Sequence, residues 1–268
     1  MSGLRSTVWF LAAIAWAFPA SAQNSAPAQT APSPEPSSTT TWEVFAGADY
    51  SVGDYNAASD TTVISAPVTV RVQLDRVRLE ASVPYLYVDG PGTFAGGGVI
   101  VPGNNNATSR SGLGDVNLGA AFLINRGGQS APSFEIAGIV KVPTAGDGLG
   151  TKKFDYTAQL NVYQPVSMQV LIFASAGYQW LGDFGTFKLE DGMVASAGVN
   201  YKLDESISLG FGVNYRQSYF QTLPDYVSLS PYAQWNIGTM WRVTAYGLVG
   251  LTEASPRFGG GLRLGLHG

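Results

Sequence analysis

Few side chains in this chain of 268 residues are suited to acid–base, nucleophilic or metal chemistry. Cysteine is absent, and the single histidine is His267, the penultimate residue. Serine nucleophiles and catalytic metals both depend on histidine or an equivalent group beside the reacting atoms. Loop carboxylates such as Asp147, Asp183 and Glu190 are scattered over different segments, so they offer calcium only adventitious binding. The sequence therefore predicts no catalytic, cofactor-binding or metal-ligating residue.

The charged residues, 13% of the chain, follow a two-residue period within apolar segments. In the segment 206–217, odd-numbered positions from Ile207 to Tyr215 are apolar or aromatic, whereas even-numbered positions from Ser208 to Arg216 are polar or glycine. Successive side chains of a β-strand point to opposite faces, and an amphipathic helix cannot produce this pattern. Twelve such segments, bounded by turn residues, are predicted as strands at 42–51, 62–74, 76–88, 113–123, 132–142, 154–166, 168–180, 191–203, 206–217, 226–237, 240–251 and 257–267.

The composition indicates how these strands are arranged. Hydrophobic residues make up an ordinary 45% of the chain, but its charge is about half the usual share for a soluble domain. A soluble β-sandwich would need many more Lys and Glu residues on its outer face. No apolar run after the N-terminus approaches the roughly 20 residues of a membrane-spanning helix. The sequence predicts an all-β fold, a closed antiparallel transmembrane β-barrel with uncharged faces toward lipid and polar faces toward a lumen.

The predicted connections alternate between short turns and longer loops, as they do in outer-membrane barrels, where the short turns are periplasmic. An even number of strands then places both termini on the periplasmic side. Aromatic residues near the strand ends are predicted to form the two girdles at the lipid headgroups. These residues are Trp42, Tyr50, Tyr85, Tyr87, Tyr178, Trp180, Tyr215, Tyr226, Trp235 and Trp241.

The N-terminal region predicts export. A basic start, an uncharged apolar run and the sequence Ala20-Ser21-Ala22 are typical of a cleaved signal peptide, so residues 1–22 are assigned to it. Residues 23–41 are rich in Pro, Ala, Ser and Thr and predict a disordered periplasmic tether. Residues 42–268 form the predicted barrel. The expected partners are the lipid bilayer, a small-molecule solute and the outer-membrane assembly machinery. The net charge of −4 excludes a basic face for nucleic acid.

Charged and amide side chains on the polar faces are the candidate lumen-lining residues, because a charge facing lipid at bilayer depth costs several kcal/mol. They are Arg71, Arg78, Glu80, Asp115, Glu135, Lys141, Asp155, Asn161, Asn214, Arg216, Arg242 and Arg263. Two interpretations remain open. These residues either form a polar constriction that selects solutes, or they are ion pairs that fill a narrow barrel.

The longest predicted loop, 88–112, has an apolar, glycine-rich middle. Its candidate constriction residues are Phe94, Val99, Ile100 and Val101. Such a loop either folds into the barrel and narrows it or stays on the surface as a flap.

Four short motifs occur in order along the chain: Gly112-Leu-Gly-Asp115, Lys141-Val-Pro-Thr-Ala-Gly146, Leu149-Gly-Thr151 leading to Asp155, and the closing stretch from Gly250 to Gly260. In this order they resemble the outer-membrane family named for the MetA pathway of phenol degradation. Ala145 stands where that family usually has glycine. The resemblance implies an outer-membrane channel or uptake protein, loosely linked to aromatic catabolism.

The sequence thus favours passive transport of small, apolar or aromatic molecules across the outer membrane. The alternative is a structural or surface-interaction barrel with a closed lumen. An outer-membrane hydrolase is less favoured, since its base would have to be His267, at the predicted periplasmic end of the last strand. The solute and the oligomeric state are not predicted.

Overall fold

The computed structural model describes residues 40–268, except 56, 58, 92, 95–99, 102–108, 129 and 184–187. The predicted signal peptide and all but the last two residues of the predicted tether lie outside this part of the chain. Its strands are β1 (Thr41–Gly53), β2 (Thr61–Leu74), β3 (Val77–Asp89), β4 (Thr93–Phe94), β5 (Ile100–Val101), β6 (Arg110–Leu113), β7 (Val116–Asn125), β8 (Ser133–Val142), β9 (Asp155–Pro165), β10 (Val170–Trp180), β11 (Gly192–Lys202), β12 (Ile207–Arg216), β13 (Tyr226–Ile237), β14 (Trp241–Gly250) and β15 (Phe258–His267).

The long strands form one closed antiparallel barrel. Each pairs with the next along the chain, and β1 pairs with both β2 and β15, so the sheet returns to its starting strand. Reciprocal backbone hydrogen bonds between Trp42 and Gly268 extend this closure by one more pair. Because β6 and β7 together occupy one place beside β3, the barrel has twelve strands. The predicted fold class is confirmed. No helix among the described residues is long and apolar enough to cross a membrane.

The strand predictions agree with the structure to within about three residues at nearly every end, with one break that the two-residue period did not show. The predicted strand 113–123 divides into β6 and β7 at Gly114 and Asp115. Gly114 lies against Pro84 and Leu86, where a Cβ atom would come within 2.8 Å of the proline ring. The Asp115 carboxylate there accepts a hydrogen bond from the backbone of Ala145. A close approach to β3 and a loop contact therefore interrupt the ladder.

The connections differ at the two ends of the barrel. One end carries the turns 75–76, 126–132, 166–169, 203–206 and 238–240 together with both ends of the described chain. This is called the turn end. The other end carries the connections 54–60, 90–109, 143–154, 181–191, 217–225 and 251–257, and is called the loop end.

The outer wall of the barrel is apolar. Exposed side chains alternate with less exposed residues, many of them polar or glycine, along the long strands. The exposed ones include Val68, Leu79, Ile136, Leu160, Ile172, Leu209 and Leu264. Exposed aromatic residues lie near both ends, with Trp42, Trp235 and Trp241 at the turn end and Tyr85, Tyr178 and Trp180 at the loop end. Tyr226 differs from its prediction. It is only 1% exposed and lies on the inner face, because it shares the even-numbered face of β13 with Ser228 and Ser230.

Candidate functional site

The inner face of the barrel carries the polar side chains singled out in the sequence. Ten of the twelve candidate lumen residues are buried there, and Asn214 and Arg263 are half-buried. Inward residues at mid-height and toward the turn end, such as Phe45, Thr69 and Asn117, also retain some exposure. Other inward residues are buried toward both ends, among them Arg78 and Arg242 at the turn end and Leu86 and Val88 at the loop end. The inner wall therefore keeps accessible surface at some positions and is packed at others.

Ion pairs connect β14, β1, β2 and β3 in the turn-end half. Glu43 forms ion pairs with Arg242 on one side and with Arg71 on the other, the latter at 3.2 Å. Arg71 also forms an ion pair with Glu80 at 2.8 Å, and its guanidinium lies 5.1 Å from the Phe45 ring centroid. Charges that alternate in sign along neighbouring strands compensate one another, so each is held near the wall.

The same pattern continues to β8 and β9. Arg78 of β3 reaches across β7 to Glu135, with 2.7 Å between Nη2 and Oε1. Asn161 donates a hydrogen bond to the same Glu135 oxygen at 2.8 Å, and Gln159 donates to Asn161 at 2.9 Å. Between β1 and β15, Asp49 lies 4.0 Å from Arg263. We call the inner surface formed by β14, β15, β1–β3 and β7–β9 the charged wall.

A lysine joins three of the sequence motifs near the loop end. The Lys141 ammonium lies 2.7 Å from Asp155 and 3.5 Å from Asp115, and it donates a hydrogen bond to Thr151 at 2.7 Å. All four side chains are buried. The motifs at 112–115, 141–146 and 149–155 are thus parts of one ion cluster that fixes the connection between β8 and β9.

That connection, residues 143–154, turns into the barrel and is called the inward loop. Its backbone is held by the bond from Ala145 to Asp115, at 2.9 Å, and by one from Arg110 to the carbonyl of Gly148, also at 2.9 Å. Gly148 has a φ of +72°, which favours glycine. Ala145 and Leu149 pack in an apolar cluster whose other members are Tyr55, Val63, Leu86 and Val88. This cluster fills the mouth on the β1–β3 side.

The sequence analysis placed the constriction in a different loop. Within 88–112, the backbones of Phe94, Ile100 and Val101 belong to the short hairpin β4–β5, which is separate from the barrel sheet. Val99 lies outside the described residues, so a constriction by that loop stays a prediction. The sequence analysis did not identify the inward loop as a constriction. The one available signal was Lys141 directly before it, because a lysine on the inner face needs partners of opposite charge.

The inner surface of β10–β13 has a different chemistry and is called the neutral wall. The hydroxyls of Ser175 and Ser196 hydrogen-bond to each other at 2.8 Å, and Asn214 donates to Ser230 at 3.1 Å. Among the described inward residues of this wall, charges occur only toward the ends, at Lys202 and Arg216. The wall between them presents hydroxyls, amides and glycines, together with the apolar side chains of Phe173 and Val194.

Arg216 marks the loop end of the neutral wall. Its guanidinium lies between two aromatic rings, 4.6 Å from the centroid of Tyr219 and 4.7 Å from that of Tyr226. The Tyr219 hydroxyl donates a hydrogen bond to Gln179 at 2.9 Å, and burial raises the pKa of this hydroxyl. Aromatic faces stabilise a guanidinium through cation–π contacts. The arginine is thereby held at a fixed position beside the mouth.

Large aromatic side chains lie flat against the inner wall because glycines leave room for them. The Tyr232 ring covers Gly210, where a Cβ atom would come within 2.0 Å of it, and its hydroxyl donates to Asn200 at 3.2 Å. The Tyr246 ring likewise lies beside Gly261, and its hydroxyl donates to Asp49 at 2.6 Å. Each tyrosine ring lies across an intervening strand and along the wall. It therefore takes up less of the lumen than a ring pointing toward the barrel axis would.

Groups suited to catalysis or metal binding do not come together in the described part of the chain. No set of three or more His, Asp or Glu side chains there could hold a metal ion. His267 ends β15 opposite Glu43 of β1, at the turn end. The expectation of a protein without catalytic, cofactor or metal sites stays a prediction.

Comparison with known proteins identifies the fold but no family. No protein-family model and no curated protein matches the chain, so the resemblance to the phenol-degradation family stays a prediction. An outer membrane channel from Pseudomonas putida F1 has a similar structure, with a TM-score of 0.64 and 16% identity over 87% of this chain and 97% of that chain. The NanC porin (TM-score 0.54, 9% identity) and the KdgM porin (0.51, 8%) each match over 83% of this chain and 97% of theirs. This chain therefore has the fold of outer-membrane channel barrels.

Proposed function

We propose that the protein is an outer-membrane channel for passive uptake of small molecules, with the loop end facing outward and the turn end facing the periplasm. The observation that carries this is a polar inner surface with accessible space, enclosed by an apolar outer wall and narrowed at one end by the inward loop. Charged rings and pore diameter are the two means by which such a lumen selects solutes. The likeness to solved channel barrels supports the proposal.

The outer surface of the barrel supports a location in the outer membrane. The band of exposed Leu, Ile and Val residues suits hydrocarbon, and the aromatic residues near each end suit the headgroup regions. The predicted signal peptide supports export, and assembly machinery would insert the barrel. Uptake of apolar or aromatic solutes is supported by the motif resemblance alone.

Planar-bilayer recordings test the channel. The wild-type protein should give small, discrete conductance steps. Leu149→Asp places a charge in the apolar cluster beneath the inward loop, so it should release the loop and enlarge those steps at least twofold. Leu251→Asp, at an exposed leucine of another loop-end connection, is the matched control and should leave them unchanged. Silence of all three proteins would contradict a channel.

Loop 88–112 stays a second proposed contributor to the constriction. Deletion of residues 93–102 should also raise conductance if this segment narrows the pore. An unchanged step size in that deletion would assign the narrowing to the inward loop.

The burial of inward residues at the loop end favours one alternative, a structural or surface-interaction barrel with a closed lumen. Thr61, Leu86 and Val88 are all fully buried there. Liposome swelling separates the two functions, since a closed barrel admits neither sugars nor amino acids whereas a channel does.

A further inference from the structure

The charges on the inner face of the barrel sum differently from those of the whole chain. Among the described residues, seven cations and six carboxylates point inward or, at Asp115, lie at the break between β6 and β7. The cations are Arg71, Arg78, Lys141, Lys202, Arg216, Arg242 and Arg263. The carboxylates are Glu43, Asp49, Glu80, Asp115, Glu135 and Asp155. With histidine counted as neutral, the inner face carries a net charge of +1 and the whole chain −4. The lumen therefore has the opposite sign to the chain.

In two ion pairs of the charged wall, the cation reaches further into the lumen than its carboxylate. The side chain of Arg263 is 14% exposed and that of Asp49 only 2%. Arg71 is 9% exposed and Glu80 only 2%. The energy of two charges falls with their separation, so an ion in the lumen interacts most strongly with the groups at its surface. Both pairs therefore present their positive end to a solute.

The other ion pairs in the turn-end half of this wall do not reverse that sign. Arg78 and Glu135 are both almost fully buried. Glu43 is more exposed than Arg242, but it lies between that arginine and Arg71 and forms an ion pair with each. Each of these carboxylates is therefore compensated by a cation in direct contact with it.

Near the loop end, two carboxylates share Lys141, and Arg216 of the neutral wall offsets the second. Burial is the main cause that raises the pKa of the Tyr219 hydroxyl, Arg216 opposes this rise, and Asp155 adds to it. Since both charges act on the same hydroxyl, Arg216 and Asp155 lie near each other at the mouth. The charges of this region therefore balance locally.

Lys202 supplies the remaining positive charge, at the turn end of the neutral wall. It is half-buried on the inner face of β11, and the register places the uncharged Ser208 and Gln234 beside it on the next two strands. No carboxylate occurs among the described inward residues of this wall. A solute that follows the neutral wall therefore meets only positive charge, at both of its ends.

We infer that the lumen selects small anions over small cations. The inference rests on the proposed channel function and specifies the charge class of its solutes, namely chloride and small carboxylates such as acetate. By Coulomb's law, one unit charge about 7 Å from a permeating ion changes the concentration of that ion about threefold in water. A net charge of +1 therefore gives a chloride-to-potassium permeability ratio of about three.

Reversal potentials in planar bilayers test the selectivity. In a gradient from about 1 M to about 0.3 M KCl, the Debye length is only about 3–6 Å, so exposed carboxylates outside the lumen are largely screened, whereas charges inside it are screened less. The permeability ratio should be about three in the wild type, about one in Lys202→Gln and about one-third in Lys202→Glu, as the lumen charge falls stepwise. Potassium acetate in place of KCl should also give a ratio above one.

Arg76 provides the matched control at the same end of the barrel. It lies in the exposed turn 75–76, outside the lumen, so Arg76→Gln and Arg76→Glu should both keep the wild-type ratio. A second variant tests the lumen independently of Lys202. Arg263→Gln removes one cation from the charged wall and should bring the ratio to about one.

A ratio at or below one in the wild type would overturn the anion selectivity and leave the channel in place. The same would follow if the Lys202 and Arg263 variants kept the wild-type ratio, or if the Arg76 variants shifted it as far as the Lys202 variants do. Absence of conductance in every protein would instead remove the channel together with its selectivity.

Discussion

The charged wall and the neutral wall share one backbone pattern but are stabilised differently. On the charged wall, side chains reach across strands to partners of opposite sign, as from Arg78 to Glu135 over β7. On the neutral wall, short hydroxyls bond to their direct neighbours, as Ser175 does to Ser196. Removing the partner of a buried ion lowers the stability of a protein far more than removing the partner of a neutral hydroxyl does. The two walls should therefore respond very differently to single truncations, although both face the same lumen.

The largest expected effect is at the centre of the charged wall. Arg78→Ala removes the guanidinium that compensates Glu135, so the variant should lose about 3–5 kcal/mol in the free energy of unfolding. Urea unfolding in lipid vesicles measures this. Ser175→Ala on the neutral wall is the comparison and should lose about 1 kcal/mol.

A double variant, Arg78→Ala with Glu135→Ala, sharpens this comparison. The loss should be smaller than the sum of the two single losses, because the pair is removed together. Equal costs at Arg78 and Ser175 would mean that the walls do not differ in the way described.

The two spanning tyrosines give an intermediate effect. Tyr246→Phe removes a hydrogen bond to the Asp49 carboxylate and should cost about 1.5–3 kcal/mol, whereas Tyr232→Phe removes one to the neutral Asn200 amide and should cost about 0.5–1.5 kcal/mol. The same unfolding measurement compares them. A larger loss at Tyr232 would contradict the assignment of the stronger bond to the charged wall.

The smallest expected effect separates two glycines of the neutral wall. Gly210→Ala forces the Tyr232 ring to move and should cost about 1–2 kcal/mol. Gly212→Ala should cost little, because its Cβ atom would have ordinary contacts, the nearest at 3.8 Å. Equal stability of the two variants would show that the Tyr232 ring has room elsewhere.

The sequence predicts the twelve strands and the direction of most side chains, because the two-residue period is a local property. Tyr226 was assigned to an aromatic girdle because it lies near a strand end. The alternation of β13 places it instead on the inner face with Ser228. The partners of the lumen charges were not predictable. Arg78 and Glu135 are 57 positions apart, and their contact depends on the barrel register, which places Arg78 beside the small Ala121 of β7.

The inward loop was beyond the sequence for a different reason. Lys141, Asp115 and Asp155 were each assigned to the lumen, but their convergence on one cluster requires the turn of residues 143–154 back into the barrel.

The fit of Tyr232 against Gly210, and of Tyr246 against Gly261, also bears on how such barrels evolve. The ring occupies the space that a side chain at the facing glycine would need, so neither residue can change freely without the other. Homologues that acquire a side chain at position 210 should have lost the ring at position 232, and the same holds for positions 261 and 246. Because these pairs lie on adjacent strands in fixed register, such coupled changes would serve as alignment markers between barrels whose sequences have otherwise diverged.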